Sequence, residues 1–168
     1  MLNYEIPSST IVSPDTTPFN YGSDPWNNPG NCRDGNSATY ADGTYTVGGT
    51  RSSMRLQPVT GHVGQGILTG IWLDYEITVG AGGFSHLDAY VQRVAGTTLN
   101  HNTFSLFGSR TQEVQTLNAG PGGYPTWDTF YVTFRPEDDR SAGNITTVRI
   151  YEVRFLYRAR GEVSTVDG

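Results

Sequence analysis

Beyond residue 44 the chain breaks into short runs in which apolar and polar side chains alternate, the period of a half-buried β-strand. The longest run is LTGIWLDYEITV, Leu68 to Val79, with Ile71, Leu73, Tyr75, Ile77 and Val79 on one face and Trp72, Asp74, Glu76 and Thr78 on the other. Leu87, Ala89 and Val91 form a second such face, Phe104 and Leu106 begin a third run, and Phe130, Val132 and Phe134 alternate in a fourth. In the final run, TTVRIYEVRFLYR, Val148 and Ile150 have one parity and Tyr151, Val153, Phe155 and Tyr157 the other. A switch of parity inside one strand predicts a β-bulge at Arg149 to Tyr151, or a stretch buried on both faces.

Weaker candidates at Thr44 to Val47, Ser53 to Gln57 and Gln112 to Leu117 bring the expectation to about eight strands, separated by Gly, Pro and Asn turns at the spacing of a sandwich. No stretch with a helical period competes, and no internal repeat is visible. The predicted fold is all-β: a single jelly-roll β-sandwich of antiparallel strands over residues 31–168, with an up-and-down barrel as the next alternative. Residues 1–30 read differently. Pro7, Pro14, Pro18, Pro25 and Pro29 interrupt any regular period, which predicts an extended Pro-rich N-terminal arm with one short strand near Thr10 to Val12.

Composition supports this picture. The 168 residues include 21 Gly, 21 Thr and 10 Tyr, a mixture of turn and strand formers. All 11 basic residues are Arg, and the formal charge of -5 is spread along the chain, so there is no basic stripe to hold a nucleic-acid backbone. No apolar run approaches the ~20 residues of a spanning helix, and MLNYEIPSST lacks the basic start and apolar stretch of a signal peptide. The expectation is therefore no nucleic acid, no membrane and no export by a signal route. One cysteine, Cys32, cannot form an internal disulfide, and with His62, His86 and His101 it makes no zinc-ligand spacing. The histidines read as surface or loop residues.

Candidate chemistry concentrates in NCRDGNSATYADG, residues 31–43, which is compatible with a cation site, a ligand loop or a plain turn. Asp34 and Asn36 offer hard oxygens, Gly35 permits an unusual turn and Thr39 adds a hydroxyl, a partial shell for Ca²⁺, which takes about 6–8 oxygens. Catalysis has less support. Asp74 and Glu76 lie about 7 Å apart by strand rise, a separation an inverting glycosidase uses, but they read as the wet face of a half-buried strand. GAGG and GPGG lack the Lys and helix of a phosphate loop and read as hairpin turns. No nucleophile elbow is present, so the chain reads as no enzyme. Trp26, Tyr124 and Trp127 sit in Gly-, Pro- and Asn-rich segments, where exposed rings suit a sugar face or a protein partner.

The string DGNSAT resembles the DGN or DGD followed by Thr of galactose-binding-like jelly rolls, the group of discoidin domains and several carbohydrate-binding modules. RIYEVRFLYRARG is similar to their last strand, with Glu152 in the place of its Glu. That resemblance implies a structural Ca²⁺ held by Asp34, Asn36, Thr39 and Glu152. More loosely, the order of DGNSATYA, ILTGIWLDYEITV, TWDTFYVTF and VRIYEVRFLYR resembles small jelly-roll proteins of tailed-bacteriophage virions. This implies a non-enzymatic virion structural protein, a capsid decoration or cement protein whose arm lies over neighbouring subunits, with major capsid or tail proteins as partners and a homo-oligomer in the particle. The alternative is a glycan-binding jelly-roll module of a phage tail or baseplate, using Tyr124 and Trp127.

Overall fold

The four stretches with the clearest alternation become the four longest strands of a computed structural model, which describes residues 10–12, 19–20, 25–49, 51–56, 66–80, 84–93, 98–117 and 130–159. Ten strands run in chain order: β1 (Thr10–Val12), β2 (Phe19–Asn20), β3 (Ala41–Thr46), β4 (Met54–Leu56), β5 (Gly66–Val79), β6 (Ser85–Arg93), β7 (Thr98–Phe104), β8 (Thr111–Thr116), β9 (Phe130–Asp138) and β10 (Ile145–Ala159). They form two antiparallel five-stranded sheets. In sheet A, β10 has β5 and then β8 on one side, with β3 and β1 end to end on the other. Sheet B has the order β2-β4-β9-β6-β7. From β3 onward the chain crosses between the sheets at almost every connection, the jelly-roll route of a sandwich. Seven of the eight expected strands stand where the alternation puts them, as does the short strand at Thr10–Val12; β7 lies upstream of the run expected from Phe104, and the two-residue β2 is an addition.

The core lies between the sheets. Ile71, Leu73, Tyr75 and Ile77 of β5 meet Leu87, Ala89 and Val91 of β6 and Val132 and Phe134 of β9, all of them buried. The predicted parity switch in β10 is a bulge: Ile150 pairs with Tyr75 and Glu152 with Asp74, so Tyr151 is the extra residue. The bulge lets Val148 and Ile150 before it, and Val153 and Phe155 after it, all enter the core. Strand β7 departs from expectation. Phe104 ends this strand rather than beginning it, because TLNHNTF is polar and shows no apolar period, while Leu106 and Phe107 lie exposed in the following loop.

Edge strands β7 and β8 belong to different sheets but meet at one side of the sandwich. Asn102 Nδ2 donates to the Thr116 carbonyl at 3.4 Å and Gln115 Nε2 to the Thr103 carbonyl at 3.3 Å. Each edge thus receives side-chain donors from the other.

Parts of the 1–30 segment belong to this same body: β1 pairs with β10, and β2 pairs with β4. Trp26 is a correction. The sequence places it among exposed aromatics, yet only 2% of it is accessible and it is part of the core. A two-way backbone bridge between Asn27 and Asp42 draws the segment against β3, and the indole lies over Gly43, where an added Cβ would stand 2.3 Å from a ring carbon. Only a residue with no side chain leaves room for that ring.

Candidate functional site

The outer face of sheet A carries the polar parity of β5, and it is not simply wet. Asp74 is 4% accessible. Its Oδ1 accepts from Arg110 Nε at 2.7 Å, and its Oδ2 from Arg110 Nη2 at 2.8 Å and Gln112 Nε2 at 3.1 Å. This fork-to-fork pairing is the strongest geometry a carboxylate and a guanidinium adopt. Burial works to raise the Asp74 pKa, but hydrogen bonds from Arg110 and Gln112, with the guanidinium charge, outweigh it and hold the carboxyl below its ordinary value.

Arg110 has a second task. Its Nη1 donates to the Ser37 carbonyl at 2.7 Å, tying the 34–39 loop to β5, and the guanidinium lies 3.8 Å from the centroid of the Tyr151 ring. Tyr151 is the bulge residue of β10, and its hydroxyl donates to Glu76 at 2.9 Å. Behind it Tyr40 packs edge-on at 5.5 Å, with the Arg149 guanidinium over Tyr40 at 4.6 Å. The β-bulge therefore serves both the core and this site, since it turns a tyrosine onto the outer face beside Arg110.

Around this floor opens a cleft of about 770 Å³, lined by Ser37, Trp72, Asp74, Arg110, Thr111, Gln112, Glu152 and Arg154. Strand register explains the set. Glu152, Asp74 and Gln112 form one cross-strand row, and Arg154, Trp72 and Val114 the next. Arg154 Nε donates to Glu152 Oε1 at 2.8 Å, and its guanidinium stands 5.0 Å from the Trp72 ring. Glu152 Oε2, Gln112 Oε1 and both Nη groups of Arg154 make no hydrogen bond among the described residues. The cleft therefore has a closed floor and a rim with acceptors and donors to offer.

Asp34, Asn36 and Thr39 do come together, but through bonds to one another. Asp34 accepts from the Asn36 amide at 2.7 Å and from Thr39 Oγ1 at 2.7 Å, and Asn36 Oδ1 accepts from the Ala38 amide at 3.1 Å. This is a side-chain-closed turn of the kind Asp and Asn favour. Glu152 stands instead in the cleft, paired with Arg154. Nor do these residues fit the Ca²⁺ that the resemblance implies: the Asp34 carboxylate and the Asn36 side-chain oxygen accept hydrogen bonds within the loop, and Glu152 faces the Arg154 guanidinium. Among the described residues no group of three His, Cys, Asp or Glu could hold a metal ion. Cys32 is fully buried, its thiol bonded to the Pro29 carbonyl and pushed by burial up to about 12. Tyr124 and Trp127 lie outside the described residues.

Sequence reasoning missed Arg110, Gln112 and Arg154. Only Arg154 carries a visible signal, a polar side chain on a strand whose other face is apolar; Gln112 stands on a polar strand and Arg110 just before it. On sheet B, His101 and His86 approach buried Asp88 at 3.0 and 3.7 Å, which also accepts from Thr103 and Tyr90. Both histidines stand on strands, and His101 is the surface residue expected of it.

Asp74 and Glu152 are cross-strand neighbours in one cleft, the arrangement that invites a catalytic reading. Glycoside hydrolysis pairs a carboxyl kept protonated by a raised pKa with one that stays ionised. The lowered pKa of Asp74 removes it from the first role only.

No family model matches the chain, and no curated protein matches it. The fold has relatives among solved structures. An arabinose-bound α-L-arabinofuranosidase aligns with 87% of this chain at 14% identity and a TM-score of 0.51, over 25% of its own length. The lectin-binding domain of lectinolysin, a His mutant complexed with Lewis b, aligns with 89% of this chain and 90% of its own at 12% identity and a TM-score of 0.48. A carbohydrate-binding module from Clostridium perfringens, in complex with GalNAc-β-1,3-galactose, aligns with 88% of this chain and 93% of its own at 10% identity and a TM-score of 0.47. The architecture is that of a jelly-roll β-sandwich. Such likeness concerns the fold alone.

Proposed function

We propose that the protein is a non-catalytic glycan-binding module whose ligand occupies the cleft on the outer face of sheet A. The observation that carries this reading is the rim, where Arg154 donors, the Glu152 and Gln112 acceptors and the Trp72 ring converge above a floor that is already satisfied. A saccharide offers both donors and acceptors on adjacent hydroxyls and an apolar C–H face for an aromatic ring. Arg110 and Arg154 balance Asp74 and Glu152, so the cleft has no net charge and suits a neutral saccharide. The cement reading lays residues 1–30 over neighbouring subunits. Since β1, β2 and Trp26 join this sandwich, the glycan module is the better-supported of the two, with a phage tail or baseplate as the setting we carry forward within the proposal.

Titration calorimetry and a glycan array on the full chain test it. A neutral glycan is expected to bind, with affinity falling at least about tenfold in Trp72→Ala and in Arg154→Ala, about 1.4 kcal/mol each, while melting temperatures stay near the parent value. Binding that survives both substitutions, or no binding to any neutral glycan, overturns the assignment.

A further inference from the structure

We infer that Arg110 is a built-in cation for this fold, holding the 34–39 loop and the cleft floor in register so that no metal ion is needed there. Three of its nitrogens are committed: two grip the Asp74 carboxylate and one the Ser37 carbonyl, all within 2.7–2.8 Å. A divalent ion joining a loop to a strand would use the same two kinds of oxygen, a backbone carbonyl and a strand carboxylate. A guanidinium already placed between them both occupies those oxygens and repels a second cation. The loop needs nothing further, since Asp34 and Asn36 are bonded within it. Tyr151 fixes the plane of the guanidinium by stacking at 3.8 Å, so the fork keeps its direction.

Arg110 is thus a positioning residue: it leaves ligand contact to the rim and sets where the loop and Gln112 stand relative to Trp72. The inference does not depend on what the cleft binds. Lysine cannot take over the role, because a single ammonium cannot span both Asp74 oxygens and the Ser37 carbonyl in one plane.

Calcium alone is the probe. The parent protein is expected to melt at the same temperature in millimolar CaCl₂ and in EDTA, and to give no calcium-binding heat. In Arg110→Lys and Arg110→Ala, native-state hydrogen exchange at the Asn36, Ala38 and Thr39 amides is expected to accelerate about tenfold or more while β6 and β9 amides keep their protection. Melting several degrees lower in EDTA, or a calcium-binding heat abolished by Asp34→Asn, overturns the inference. So does loop exchange unchanged in Arg110→Lys. Should Arg110→Ala fail to fold, the parent titration and the lysine variant still decide.

Discussion

Trp26→Ala is expected to destabilise the fold by about 3–5 kcal/mol, the range for removing a large aromatic from a packed core. That is a large share of the about 5–15 kcal/mol that separates folded from unfolded domains. The effect follows from the position of the ring: 2% accessible, seated over Gly43, on a segment held by the Asn27–Asp42 bridge. Gly43→Ala tests the same contact from the other side, because its methyl carbon would meet the indole at 2.3 Å and force the ring to move. Urea midpoints of the two single variants and the double variant measure this. Losses smaller than additive are expected, since both substitutions break one contact. A Trp26→Ala variant with an unchanged midpoint would place the ring outside the core.

Asp138→Asn is expected to cost about 1–3 kcal/mol, the range for weakening hydrogen bonds to buried partners, here the Ser85 and Thr146 hydroxyls. The Asp138 carboxylate accepts from Arg140 Nε at 2.8 Å, from Thr146 Oγ1 at 2.6 Å, from the Arg140 amide at 2.9 Å and from Ser85 Oγ at 3.0 Å. It therefore joins the first residue of β6, the end of β9 and the start of β10. These bonds, Arg140 foremost, hold its pKa far below the ordinary carboxylate value in spite of burial. A carboxyl lowered on folding stabilises the native state above its unfolded pKa and loses that contribution as pH falls toward the folded value. Parent stability should therefore decline below about pH 4, and the decline should be shallower in Asp138→Asn. Urea midpoints from neutral to acid pH would show it; parallel curves would mean the carboxylate contributes nothing to acid unfolding. Gly80 sits beside this cluster at φ +130°, with an added Cβ only 2.1 Å from Ser85 Oγ, so no side chain is accommodated there either.

The strands with a strict period of two were legible because one face of each meets the core and the other does not. The bulge at Tyr151 was legible for the same reason, as two apolar parities in one run. Strand β7 was not: TLNHNTF is mostly polar and carries no apolar alternation, and its pairing with β6 defines it. Trp26 was misplaced because proline-rich composition predicts backbone irregularity and says nothing about where one ring inserts. The stretch from Asp34 to Thr39 was legible as a loop, with a cation site, a ligand loop and a plain turn all open, and Glu152 was legible as a strand residue. The tie of that loop to β5 through Arg110 was not visible, because residues 36 positions apart, such as Asp74 and Arg110, are joined by the fold and by no local pattern.

The amide cross-stitch between β7 and β8 has a consequence for crowded conditions. An open strand edge is a template on which copies add to one another, and the result is fibrils or domain-swapped aggregates. Here the Thr103 and Thr116 carbonyls already receive Gln115 and Asn102. Two of the carbonyls that an added strand would need along this edge are therefore already taken, which makes it a poorer template when copies crowd side by side.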